Sequence, residues 1–240
     1  MTSADPGGRA ATYRDARVRV LGRIADACAR AGRDPSEVTL LAVSKAVPVT
    51  DLREAVAAGL DLLGENRVQE ALAKAPDLPG ARWQLIGPLQ SNKARKALEV
   101  FESIQSVDSV ALAERLDRLA AEVRPGSRYP ILLQVNVDDD PAKAGFSPAA
   151  LEVVMGQLSA FDRLELRGLM TIGRLVEDPG AARPTFRQLR TVSETLRVGG
   201  APLGPELSMG MTDDFEVAVE EGATIVRVGR ALFGERHPPD

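Results

Sequence analysis

Val38-Thr-Leu-Leu-Ala-Val-Ser-Lys45, followed by Ala46-Val47-Pro48, is the stretch on which the fold turns. Five of its first six residues are apolar and two are valine, a short unbroken run suited to a strand buried on both faces. The run delivers a lysine at its carboxyl end, and Pro48 prevents the strand from simply continuing. In parallel sheets the carboxyl ends of strands are where ligands are held. A partly desolvated lysine amine is also a nucleophile towards carbonyls. A strand that merely surfaces here, its last side chain reaching into water, accounts for the same residues, so the rest of the chain has to decide.

Working outward, residues 10–31 carry Val18, Leu21, Ile24, Ala25 and Cys28 at helical spacing and predict a helix ended near Gly32. Beyond Lys45, Thr50 is placed to cap a helix that Gly59 stops. Further strands are predicted at 60–64, 82–86, 103–107, 129–137, 166–172, 206–210 and 223–228, each followed by a helical segment. Ser91 opens a basic helix to residue 100, Asp108 or Ser109 caps an amphipathic one through Leu119, and Thr212 begins another to residue 221. Eight strand–helix units in 240 residues predict a single (β/α)8 barrel with an extra N-terminal helix, a fold that takes about 250 residues. A doubly wound open sheet is the alternative, and eight units in this length favour closure. The expected organisation is a disordered N-terminus at 1–9, the barrel at 10–236 and a frayed C-terminus at 237–240.

Composition narrows the chemistry. The chain is 44% hydrophobic, 27% charged and only 4% aromatic, so its core must be aliphatic and alanine-rich. A net charge of −4, with both signs interspersed, is no nucleic-acid footprint, and Lys93-Ala-Arg95-Lys96 reads as the solvated face of a helix. One cysteine, Cys28, excludes an internal disulfide and suits a small buried hydrophobe. No signal peptide or membrane-length apolar run is evident, which predicts a cytoplasmic protein. The single histidine, His237, lies four residues or fewer from the end, so histidine–metal sites, Ser-His-Asp triads and Cys-His dyads lack their parts. A base or nucleophile here is a lysine, a carboxylate or a tyrosine.

In a barrel the residues just after each strand converge on one mouth. They are Lys45, then Glu65 and Asn66, Gly87, Asn136, Met170 and Thr171, Ser208-Met-Gly-Met-Thr212, and Arg227, Gly229 and Arg230. The last two loops each set a glycine before a helix start, where backbone N–H groups and the helix dipole can receive a phosphate. Glycines that only permit tight turns, with Thr212 as an ordinary cap, would look the same. Asp213 and Asp214 are expected to point outward. Arg227 interrupts an apolar strand and needs an acceptor, either a structural carboxylate or a ligand. Met170 and Trp83 read as core, and Lys143 as a solvated lysine in a mobile polar loop. A nucleophilic lysine, an arginine and a phosphate cradle suit a phosphorylated carbonyl compound, either pyridoxal 5′-phosphate or a sugar-phosphate substrate of a Schiff-base aldolase.

Six motifs in order carry a resemblance: Leu41-Ala-Val-Ser-Lys45, Leu63-Gly-Glu-Asn66, Ile86-Gly-Pro-Leu-Gln-Ser-Asn-Lys93, Arg167-Gly-Leu-Met170, Met209-Gly-Met-Thr-Asp-Asp214 and Val226-Arg-Val-Gly229. Together they resemble the YggS/PROSC family of pyridoxal phosphate homeostasis proteins, whose barrel is similar to the N-terminal domain of alanine racemase. The resemblance implies that Lys45 holds pyridoxal 5′-phosphate as an internal aldimine. It implies that Ser208, Gly210, Met211, Thr212 and the Gly229-Arg230 backbone form the phosphate loops. Arg227 would approach the pyridine nitrogen and keep it unprotonated, making the cofactor a poor electron sink. Asn66 would line the ring pocket, and Lys143 matches the family's lysine after the fifth strand. The chain departs from the pattern at Gln84, where many members have histidine, at Leu63 for phenylalanine, and at Gly173, where proline or alanine is common.

Three functions follow. The preferred one is a binding protein that holds the cofactor and takes part in intracellular vitamin B6 homeostasis, as a monomer that hands it transiently to apo-enzymes, with no nucleic acid or membrane partner, no catalytic residue and no metal. The second is a pyridoxal phosphate-dependent amino-acid racemase. That needs a second base, supplied in similar racemases by a tyrosine from an additional β-domain for which 240 residues leave no room; Tyr13 and Tyr129 are expected away from the mouth. The third is an aldolase with Glu65 as acid/base.

Overall fold

Each apolar run forms a strand, and each strand pairs in parallel with the next. The computed structural model describes residues 6–173 and 176–234. In chain order the strands are β1 (Thr39–Val43), β2 (Leu62–Glu65), β3 (Arg82–Leu85), β4 (Ser103–Val107), β5 (Tyr129–Gln134), β6 (Leu164–Met170), β7 (Glu206–Ser208) and β8 (Ile225–Val228). β8 pairs back onto β1, with Arg227 opposite Leu41 and Val228 opposite Ala42, so the sheet closes. The open-sheet alternative is thereby set aside.

Helices wrap the outside: α1 (Pro6–Ala31) before β1, then α2 (Val49–Ala57), α3 (Val68–Lys74), α4 (Ala94–Val100), α5 (Val110–Val123), α6 (Pro148–Ser159), α7 (Arg183–Val198), α8 (Phe215–Glu220) and α9 (Arg230–Phe233). None of the described helices is long and apolar enough to cross a membrane. Ser109 caps α5 by accepting from the Leu112 N–H, and Ser147 caps α6 through the Ala150 N–H. Two expected caps fail. α2 starts at Val49 behind Pro48, leaving Thr50 inside the helix, because Pro48 already presets the entry. Residues 212–214 form a turn and α8 starts only at Phe215. Residues 6–9, expected to be disordered, belong to α1. The remaining residues of the expected ragged ends, 1–5 and 235–240 with His237, lie outside the described residues.

Side-chain alternation splits the interior in two. Between barrel and helices lies the larger aliphatic core, in which Phe101, Phe186 and Phe215 are fully buried and Trp83 and Cys28 pack as expected. Inside the barrel a separate, smaller cluster comprises Leu41, Val43, Leu62, Ile86, Leu132, Met170 and Ile225. Buried polar side chains on the same inward rows of β4, β7 and β8, namely Gln105, Ser208 and Arg227, complete the filling. α1 is fastened across the barrel wall by Arg23, which forks onto Glu216 at 2.7 and 2.8 Å and lies over the Phe215 ring.

Candidate functional site

The carboxyl ends of the strands open into a cavity of about 310 Å³. β1 contributes Val43 and Lys45, β2 Asn66, β3 Ile86 with Gly87 and Pro88, and the segment after β6 Ile172. Met211, Thr212 and Asp213 come from the loop after β7, and Arg227, Gly229 and Arg230 from β8 and its helix start. Seven of the nine residues expected at the site therefore meet on one wall: Lys45, Asn66, Met211, Thr212, Arg227, Gly229 and Arg230. A larger cavity of about 480 Å³ opens at the opposite, amino-terminal end of the barrel, away from Lys45.

Lys45 sits on a tight turn. The Val47 N–H donates to the Ser44 carbonyl at 3.0 Å, and Ala46 takes a left-handed φ of 61°, a conformation costly for a residue with a Cβ and concentrated at functional loops. Behind the turn lies a buried polar group. Ser44 Oγ donates to Glu65 Oε1 at 2.9 Å, and Lys74 Nζ donates both to that oxygen at 2.6 Å and to the Ser44 carbonyl at 3.0 Å. Glu65 is fully buried between β2 and α3, and burial pushes its carboxyl pKa up against the opposing pull of Lys74 and Ser44. This corrects its expected place at the mouth: with Asn66 on the cavity, strand alternation turns Glu65 the other way, and the aldolase reading loses its acid/base.

Arg227 is buried at the cavity floor. Its Nη1 donates to Ser208 Oγ and its Nη2 to the Thr171 carbonyl, both at 2.7 Å. These acceptors are neutral. Burial lowers the guanidinium pKa to about 10, with the Asp214 charge opposing that shift, so it stays charged at pH 7. Ser208 is fully buried, and its hydroxyl is engaged with Arg227 and with Gln105 Oε1, at 2.6 Å; it does not line the cavity. Gly210 also sits behind the wall. Its φ is 85°, and a Cβ there would come within 2.5 Å of the Ala218 Cβ, so the turn needs glycine.

The loops after β7 and β8 are tied together: the Gly229 N–H donates to Thr212 Oγ1 at 3.3 Å and Arg230 pairs with Asp213. The expectation that both aspartates point outward fails. Asp213 lines the cavity, and Asp214 is buried, accepting the Met211 N–H at 2.6 Å, its carboxyl pKa raised by burial. A carboxylate in a tight turn finds a nearer N–H than the helix start offers. The loop of Lys143 is likewise pinned rather than free. Asn136 Nδ2 donates to the Asp140 carbonyl at 2.8 Å and Gln134 Nε2 to the Ala144 carbonyl at 2.8 Å, while Lys143 Nζ is shielded from solvent 3.5 Å from Asp140 Oδ2. Sequence reasoning passed over Val43 and Ile86, although both lie on inward rows of the barrel, and had Asp213 pointing outward.

Comparison with known proteins identifies the family and the fold. The family described as alanine racemase, N-terminal domain, matches residues 21–237. A pyridoxal phosphate homeostasis protein of Pseudomonas aeruginosa is 44% identical over 222 residues, covering 91% of this chain and 93% of that protein. Its counterpart in Aquifex aeolicus is 41% identical, covering 91% and 96%. The structure of PipY from Synechococcus elongatus with pyridoxal phosphate bound superposes with a TM-score of 0.77 at 48% identity, covering 88% of this chain and all of that one. Alanine racemase from Corynebacterium glutamicum, at 18% identity and a TM-score of 0.72, shares the fold, and this chain spans 62% of its length. On sequence and fold alike, this chain belongs to the pyridoxal phosphate homeostasis protein family, built on the alanine racemase N-terminal-domain barrel.

Proposed function

We propose that the cavity holds pyridoxal 5′-phosphate, with the Lys45 amine as its covalent anchor, and that the protein takes part in intracellular vitamin B6 homeostasis as a carrier of the cofactor. The observation that carries this is the meeting of Lys45, Arg227, Thr212, Gly229 and Arg230, from three separate loops, on one cavity. About 310 Å³ is a volume suited to a small cofactor. The wall carries the basic side chains Lys45, Arg227 and Arg230 against the single carboxylate Asp213, a balance that favours an anion. Gly229 leaves room beside Val43, whose Cβ would lie 3.5 Å from a Cβ at that position. The PipY structure contains the same compound.

When bound, the group supplies an aldehyde that a lysine amine can bond with loss of water, and a phosphate dianion. The chain's own residues divide the holding. Thr212, Gly229 and Arg230 receive the phosphate, and Asn66 flanks the ring. Arg227 meets the pyridine nitrogen as a charged donor and so opposes its protonation. Ser208, Gly210 and Met211 support these groups from behind or beside the wall.

The test is the absorbance spectrum of purified protein incubated with pyridoxal phosphate, followed by borohydride reduction and peptide mapping. A visible band that disappears in Lys45→Ala, with the reduced label on Lys45, is expected. Absence of the band, or a label on another lysine, refutes the assignment. Racemisation of alanine or serine that Lys45→Ala abolishes would replace the carrier by an enzyme.

A further inference from the structure

We propose that Gln105, Gln84 and Glu102 are positioning residues that hold Arg227 in place through Ser208, by a directed chain of hydrogen bonds running the length of the barrel interior. This rests on the reading of the cavity as a pyridoxal phosphate site with Arg227 at its floor. From the cavity downward, Arg227 Nη1 donates to Ser208 Oγ at 2.7 Å, and Ser208 Oγ donates to Gln105 Oε1 at 2.6 Å. Gln105 Nε2 then donates to Gln84 Oε1 at 2.6 Å, and Gln84 Nε2 to Glu102 Oε1 at 3.0 Å. Gln84 and Glu102 line the amino-terminal cavity, so the chain joins the two ends of the barrel.

All four bonds point the same way, and the reason lies at the far end. An ionised carboxylate can only accept, so Glu102 draws the NH2 edge of Gln84 towards itself and leaves the Gln84 oxygen facing Gln105. Gln105 must then offer its NH2 downward and its oxygen upward, and that oxygen takes the Ser208 proton. Ser208 is left with its proton on Gln105 and its lone pairs facing Arg227. Were the amides reversed, the serine would receive a donor from each side and its own proton would lose its acceptor in the chain. In a buried environment such aligned bonds polarise one another. Gln84 stands where the family resemblance expects histidine; a neutral imidazole also carries one acceptor and one donor on opposite edges, and either residue serves.

The experiment uses two readouts on the full chain. One is solvent exchange of the Arg227 guanidinium protons by NMR, without cofactor; the other is the absorbance maximum and dissociation rate of bound pyridoxal phosphate. Gln105→Met and Gln84→Met are expected to speed Arg227 exchange and cofactor loss by about fivefold to tenfold, the worth of roughly one hydrogen bond, and to shift the absorbance maximum. Gln84→His is expected to retain wild-type values. Glu102→Met, a change at the partly exposed rim, is expected to speed Arg227 exchange as well, and it keeps the test decisive where a glutamine variant fails to fold. Unchanged Arg227 exchange in Glu102→Met, or Gln84→His behaving like Gln84→Met, overturns the proposal. Failure of the wild type to take up the cofactor would instead refute the cofactor reading, and the exchange measurement distinguishes the two.

Discussion

Replacing Lys74 by methionine is the sharpest perturbation of the lysine loop that leaves the cavity wall intact. Lys74 Nζ bonds Glu65 Oε1 and the Ser44 carbonyl at once, while the second Glu65 oxygen, Oε2, is buried without a hydrogen-bond partner. Glu65 is thus a fully buried carboxylate whose charge is compensated by one ammonium. Removing one partner of such a pair costs about 3–5 kcal/mol, because the other charge stays buried alone. With Lys74 itself 14% exposed, the lower end applies, about 3 kcal/mol. Unfolding entropy for 240 residues is about 0.5 kcal/mol/K, so the melting temperature of the apo-protein falls by about 6 °C at pH 7.5.

The pH dependence gives the loss a signature. Burial already raises the Glu65 pKa, and Lys74 is the chief opposing influence. Without it the folded carboxyl takes a proton at a higher pH than the unfolded one does, whose value is about 4.3. Between those two values the folded state binds more protons, so stability rises as pH falls. The gap between wild type and Lys74→Met, measured by calorimetry, therefore narrows from pH 7.5 to pH 5. The double variant Glu65→Met/Lys74→Met recovers much of the loss at pH 7.5, because neither charge remains. An equal gap at both pH values, or no recovery in the double variant, would show that Glu65 is not a desolvated charge and refute the reasoning.

Two further outcomes follow from other parts of the fold. Gly210→Ala must adopt a φ of 85° and bring its Cβ within 2.5 Å of Ala218 Cβ and 2.9 Å of Phe215 Cα; left-handed strain and overpacking together cost roughly 3 kcal/mol, seen as a melting temperature lower by about 6 °C and as faster cofactor loss. Glu220 is held below the usual carboxylate range by hydrogen bonds from Arg183 and then Arg30, so its contribution is present above the unfolded value and lost as pH falls through the lower folded one. Glu220→Gln should melt about 1–2 °C below wild type at pH 7, with the gap narrowing as the pH falls below the unfolded value of about 4.3; a gap that does not narrow on acidification would contradict this.

The barrel was legible because its signals are local and repeated: an apolar run, a glycine or proline stop, a helical period. β4, whose Ser103-Ile-Gln-Ser-Val107 is the least apolar of the runs, is a strand all the same, and its Gln105 is the central link of the interior hydrogen-bond chain. The barrel reading already brought Lys45 and Arg227 to one mouth; the pattern of alternation alone could have turned Glu65 away from it once Asn66 was assigned there. What no local rule reveals is side-chain choice among competing partners. Asp214 takes the Met211 N–H rather than water, and Asn136 clamps its own loop. Ser208 spends its hydroxyl beneath the floor because Gln105, a hundred residues away in sequence, offers the acceptor.

Retention and turnover ask different things of the same lysine. With Lys45 as the proposed anchor, racemisation would need a second acid/base on the opposite face of the ring, with a pKa near the working pH. Tyr129 donates to the Phe101 carbonyl at 2.8 Å, and burial drives its pKa well above the ordinary phenol value. Tyr13 packs against Phe233 outside the barrel, its pKa raised by burial and then by Asp51. Glu65 lies behind the wall, and Asp213, the carboxylate on it, is bonded to Arg230. Arg227, which lines the same cavity as Lys45, is a donor that keeps its proton and is hydrogen-bonded from below to the Ser208 hydroxyl. A donor that cannot take up a proton is suited to gripping a ring nitrogen and ill suited to moving protons at carbon. On the proposed assignment of Arg227 to the ring nitrogen, loosening it through Gln105 or Glu102 should then change how long the cofactor stays far more than what chemistry it undergoes.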